Sequence, residues 1–137
     1  MADTVEFELV APEELLFSEP VELVVVPGAE GDFGVLPGHS PLISTLRTGV
    51  IAVYENDAVN RRIFVSGGFA EVTPERCTVL ADEAIALESA NRSDVEDRVK
   101  ADREALESAA GDAKENAAAT LAVSEALLLA LDTAGQA

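Results

Sequence analysis

The chain has 137 residues, 48% of them apolar, and a formal net charge of −17 from 26 acidic and nine basic residues. That length holds one domain, or one domain with an appendage. So acidic a chain excludes nucleic acid and anionic lipid as partners, because binding either surface rests on basic groups that displace counterions.

Cys77 is the single cysteine and His39 the single histidine, so an intramolecular disulfide is excluded and a zinc site lacks ligands. The first twenty residues alternate acidic with apolar. No basic segment leads into an apolar stretch there, and no signal peptide is expected. The most apolar runs, 23–26 and 126–131, fall far short of the roughly 20 residues that span a bilayer. The chain is expected to be soluble, made in a reducing compartment, and to reach a membrane only through a partner.

Up to about Leu87 the apolar pattern has a period of two. Val5, Phe7 and Leu9 alternate with Thr4, Glu6 and Glu8, which predicts a half-buried strand over 4–10. Further strands are predicted over 15–17 and 21–26, separated by Ser18-Glu19-Pro20, and over 33–36, 49–55, 61–66, 69–73 and 77–81. Their breaks are Asn56-Asp57, Gly67-Gly68 and Thr73-Pro74-Glu75, all turn-forming stretches. About eight to ten short strands with no helix between them give an all-β antiparallel sandwich over residues 1–88. Cys77 falls within this pattern and reads as a small buried thiol.

After Leu87 the grammar changes. Ser93-Asp94-Val95-Glu96 reads as a capping box, and the segment to Ala110 has neither proline nor glycine. Gly111 ends this helix, and a second runs from Asp112 to about Asp132. So short a break predicts antiparallel neighbours, a C-terminal helical hairpin over residues 89–137. Its many alanines bury little area, and at roughly 25 cal/mol per Å² the pair is weakly held.

The stretch Val26-Pro27-Gly28-Ala29-Glu30-Gly31-Asp32-Phe33-Gly34-Val35-Leu36-Pro37-Gly38-His39-Ser40-Pro41-Leu42 is rich in glycine. Its spacing matches neither a P-loop nor a dinucleotide fingerprint, and no lysine or helix follows. His39 and Ser40, adjacent on a proline-bounded turn, cannot face each other as a hydrolytic pair. What this stretch closely resembles is the signature of the epsilon subunits of bacterial F-type ATP synthases. The resemblance continues through Phe64-Val65-Ser66-Gly67-Gly68-Phe69-Ala70-Glu71-Val72 and Val79-Leu80-Ala81-Asp82-Glu83-Ala84. It covers residues 3–88 by motif and the remainder by architecture.

The resemblance implies a non-catalytic central-stalk subunit without a cofactor, coupling c-ring rotation to the catalytic head. Its implied partners are the gamma subunit, the polar loops of the c-ring and, transiently through the hairpin, the alpha/beta head. Its implied place is the cytoplasmic face of the bacterial inner membrane. The ring-facing positions carry over to Glu30 and His39. Some family members bind ATP through an Ile/Leu-Asp-x-x-Arg-Ala motif, whose counterpart here is Leu87-Glu88-Ser89-Ala90-Asn91-Arg92, with Arg98 matching a later arginine. Glu88, Arg92 and Arg98 are thus the nucleotide-binding candidates. Asn91 stands where the motif has arginine, which removes the bidentate phosphate partner and argues against ATP binding. The family's hairpin brakes hydrolysis through basic residues, yet no basic residue follows Lys114, so weak inhibition is expected. The alternative reading, taken without the resemblance, is a free-standing β-sandwich module that senses a ligand.

Overall fold

The computed structural model describes residues 3–12 and 14–135, which fall into two compact units, 1–88 and 89–137. The first unit is a sandwich of ten strands. They are β1 (Val5–Ala11), β2 (Glu14–Val21), β3 (Leu23–Gly28), β4 (Gly31–Val35), β5 (Leu42–Thr45), β6 (Gly49–Glu55), β7 (Ala58–Val65), β8 (Gly68–Val72), β9 (Arg76–Ala81) and β10 (Ala84–Ala86). One sheet has the order β2-β1-β9-β8-β5 and the other β10-β7-β6-β3-β4. Every pairing is antiparallel except β1 with β9, which is parallel.

The alternation read from sequence sets the core. Val5, Phe7 and Leu9 of β1 meet Val24, Val26, Ile51, Val53, Ile63 and Val65 of the facing sheet, each at most 5% exposed. Burying a side chain the size of Phe7 stabilises the fold by about 1.5–3 kcal/mol, and Phe7→Ala, which also opens a cavity, costs about 3–5 kcal/mol. Phe17 packs on the Phe7 ring, centroids 5.3 Å apart, with the Arg61 guanidinium 4.8 Å above its own ring centre.

Two local readings change and a third is borne out. Strand β2 runs through Pro20 without a break, because β2 is an edge strand and proline lacks only an amide that no neighbour uses. Strands β5 and β10 were not foreseen, being only four and three residues long. The Asn56-Asp57 turn is as expected, both residues having positive φ (55° and 63°) in the tight β6–β7 hairpin.

The second unit is a pair of helices, α1 (Arg92–Ser108) and α2 (Asp112–Gly135). Arg92 pairs with Asp132, and Arg103 with Glu125 at 3.3 Å. Since the earlier residue of α1 meets the later residue of α2, the helices run antiparallel, as a hairpin does. The cap lies earlier than the sequence suggested: Asn91, not Ser93, caps α1, its side-chain oxygen accepting from the Asp94 amide at 3.1 Å. Asn91 is as good a cap as serine, and its use lengthens the helix by two residues, Arg92 and Ser93.

By length and composition alone, α2 is apolar enough to cross a membrane. Alanine supplies much of that average, and Glu125 stands near the middle of the helix, where an ionised side chain opposes insertion. Among its described residues, α2 buries only Ser124 and Leu127.

Candidate functional site

Strands β3 and β4 form a hairpin in which Gly28 faces Gly31, leaving Ala29 and Glu30 at the tip. Gly31 has φ +140°, a conformation that a residue with Cβ rarely adopts, so glycine here fixes how the tip turns. The segment after β5 holds the tip from one side. The Ala29 amide donates to the Thr45 carbonyl (2.9 Å), and the Arg47 amide donates to the Pro27 carbonyl (3.1 Å). The Arg47 guanidinium spans the hairpin, Nη1 donating to the Gly28 carbonyl (2.6 Å) and Nη2 to Asp32 Oδ1 (2.5 Å). Glu30 is exposed and, alone in this hairpin, carries a carboxylate with no hydrogen-bond or ion-pair partner among the described residues.

Beyond β4 the chain turns through Leu36-Pro37-Gly38-His39. The His39 amide donates to the Leu36 carbonyl (3.1 Å), and the Gly38 amide to the Pro74 carbonyl (2.8 Å), which ties this loop to the β8–β9 turn. His39 is half-buried, and its Nδ1–H donates to the Ser40 carbonyl at 2.6 Å. In the neutral ring that leaves Nε2 as an acceptor. Through Nδ1 the ring orders its own loop, and among the described residues no hydrogen bond joins it to a hydroxyl.

Glu30 and His39 are close in sequence but lie at opposite ends of β4. Five strand residues at about 3.3 Å each put roughly 17 Å between those ends. Strands β4 and β5 are the outermost strands of their sheets, and the bridge from Gly28 to Leu46 places them on the same side of the sandwich. Exposed apolar side chains mark this side: Leu36 (57%), Leu42 (38%) and Ile43 (71%). The two residues are therefore joined by an open edge, not by a shared loop.

The nucleotide candidates have local partners. Glu88 Oε1 accepts from the Arg62 amide at 2.9 Å, continuing the sheet edge past β10. Arg92 pairs with Glu96 and Asp132, and Arg98 with Asp102. Six residues apart on α1, Arg92 and Arg98 do not share a face. A cavity of about 150 Å³ opens among Leu9, Leu16, Phe17, Arg61, Ile63, Ala84, Ala86 and Glu88, but it is mainly apolar, and its one guanidinium is engaged by Glu19 at 3.3 Å. Cys77 is fully buried, and burial pushes its thiol up to about 12, so it is inert at neutral pH. Among the described residues, no three of His, Cys, Asp and Glu gather as a metal site.

Sequence reasoning missed Arg47 and Asp32. The available signal was rarity: residues 1–88 contain only four basic side chains, Arg47, Arg61, Arg62 and Arg76.

Residues 4–87 match the family described as ATP synthase, Delta/Epsilon chain, beta-sandwich domain. The chain is 59% identical over 131 residues to the ATP synthase epsilon chain of Rhodospirillum rubrum, covering 95% of this chain and 98% of that one. It is 55% identical over 125 residues to the epsilon chain of Rhodospirillum centenum, covering 88% and 86%. Its fold superposes with a TM-score of 0.78, at 26% identity, on a chain of the Euglena gracilis mitochondrial ATP synthase in an OSCP/F1/c-ring structure, covering 96% of this chain and 83% of that one.

Proposed function

This chain belongs to the ATP synthase delta/epsilon family, and from that premise we propose that it presents the β4–β5 edge of its sandwich to the polar loops of the c-ring. It is a non-catalytic central-stalk subunit of a rotary ATP synthase. In this reading it couples ring rotation to the catalytic head, bound to the gamma subunit at the cytoplasmic face of the bacterial inner membrane. Glu30 and His39 are its ring-facing residues. The carrying observation is the edge itself: at one end a carboxylate with no partner among the described residues, His39 at the other, and exposed Leu36, Leu42 and Ile43 along it. Exposed apolar side chains on an unpaired edge call for a partner, since such edges otherwise invite aggregation.

The hairpin's role follows from its charge. Residues 89–137 hold ten acidic side chains against five basic ones. Of those basic side chains, Arg92 and Arg103 reach across to Asp132 and Glu125, and Arg98 pairs with Asp102 within α1. Few cations remain to attract an acidic surface on the head, so braking by this hairpin is weak. For ATP, the motif's arginine is replaced by Asn91, which is occupied in capping α1. We read the chain as not regulated by bound ATP.

Single cysteines at position 30 and at position 39, in chains assembled into membrane vesicles, test the edge assignment. Both are expected to cross-link to cysteines in the ring loops. A cross-link from position 30 alone would mean that the sandwich stands end-on and that His39 serves only its own loop.

A further inference from the structure

We infer that Arg47 is the positioning residue for Glu30, an assignment that rests on the ring-facing reading of that carboxylate. Four observations converge on it. Among the described residues, backbone bonds link the segment around Arg47 to Pro27 on β3 and to Ala29 at the tip, and none to β4. Strand β4 is the sheet's last strand, so beyond the tip no neighbour strand supports its outer side. The Arg47 side chain bonds to both arms at once, to the Gly28 carbonyl on β3 and to Asp32 on β4. The same pairing neutralises Asp32, so that the tip projects one negative charge instead of two.

The chemistry suits arginine. Its planar fork offers two parallel donors at a fixed spacing, here used on a carbonyl and a carboxylate of opposite arms. Lysine can satisfy either partner but has no fork with which to hold both. At 46% side-chain exposure for Arg47 and 59% for Asp32, the pair is wet, and it adds little to the stability of the whole fold. What it constrains is local: how far the tip swings about the β3 end, and therefore where Glu30 is presented.

The test uses assembled synthase in membrane vesicles with Glu30→Cys opposite a ring-loop cysteine, together with amide exchange on the purified chain. With Arg47 present, position 30 cross-links efficiently; absence of that cross-link would refute the ring-facing reading itself, independently of the clamp. Arg47→Gln is expected to leave the unfolding temperature nearly unchanged, yet to speed exchange of the Ala29 and Gly31 amides and to lower the cross-linking rate. An exposed charged pair limits each effect to about fivefold. Asp32→Asn, which removes one of the two partners, should give a smaller change in the same direction, and Arg47→Lys a partial rescue. If Arg47→Gln cross-links and exchanges like the parent, the clamp is wrong while ring contact stands. Equal loss of unfolding temperature and of exchange protection throughout the sandwich would also overturn it, since Arg47 would then be a general structural residue.

Discussion

Glu30 and His39 occupy the two ends of β4, one on a hairpin tip pinned to Thr45, the other in a loop pinned to Pro74. A surface that meets both must lie along the sandwich edge. Because Glu30 has no partner among the described residues, Glu30→Gln should shift the folded chain's stability by no more than about 0.5 kcal/mol. ATP-driven proton pumping by the assembled enzyme should nevertheless fall relative to its hydrolysis rate. Urea unfolding and pumping measured on the same variant separate these effects.

A second prediction concerns Gly68, where β8 begins against β9. A Cβ placed there would lie 2.0 Å from the Leu80 carbonyl oxygen, at a φ of +107°. Backbone, not a pliable side chain, is the obstacle, so Gly68→Ala must separate β8 from β9. A loss above about 3 kcal/mol is expected, whereas Gly31→Ala meets no atom and costs only the dihedral strain of about 1–3 kcal/mol. Unfolding temperatures of the two variants should rank in that order.

Alkaline pH gives a third. Cys77 lies across from Val72 on β8 and Phe7 on β1, and burial raises its thiol from the ordinary 9.0 to about 12. The folded chain therefore keeps its proton where the unfolded chain releases it. This group's stabilisation is complete below 9.0 and is lost as pH rises from there towards 12, by at most about 1.4 kcal/mol per pH unit. Cys77→Ala should be less stable at neutral pH, by cavity formation, but should show a flatter alkaline decline in urea unfolding.

The fourth concerns the hairpin. Asn91→Ala removes the α1 cap and should cost about 1 kcal/mol, seen as faster amide exchange at Asp94 and the residues beside it. Ending the chain after Gly111 removes α2 with its Glu125 and Asp132. Hydrolysis by the assembled enzyme should then change by less than about twofold, because so small a coupling energy is at stake. A several-fold rise would show that the hairpin is a strong brake.

Much of the sandwich was legible because the buried positions of β1, β6 and β9 alternate strictly, and alternation is a local property of sequence. The parallel β1–β9 pair was not, since these strands are far apart in the chain and their side-chain pattern is the same in either direction. Pro20 looked like a terminator because only the sheet order reveals that β2 is an edge. Glu30 and His39 were legible as loop residues, and the strand between them was foreseen as well. Their separation became clear only with the pairing of β4 to β3 and of β5 to β8. Arg47 was invisible for a related reason: its partners Gly28 and Asp32 are 19 and 15 residues away.

As a central-stalk subunit, this chain is expected to turn with the ring as part of one rotor. The most direct measurement is ATP-driven proton pumping in vesicles after a disulfide has been closed between a cysteine at position 30 and one in a ring loop. Two parts of a single rotor do not move relative to each other, so pumping should continue at nearly its original rate with the bond closed. Pumping that stops on closure and returns on reduction would place the chain on the stator side and contradict the account.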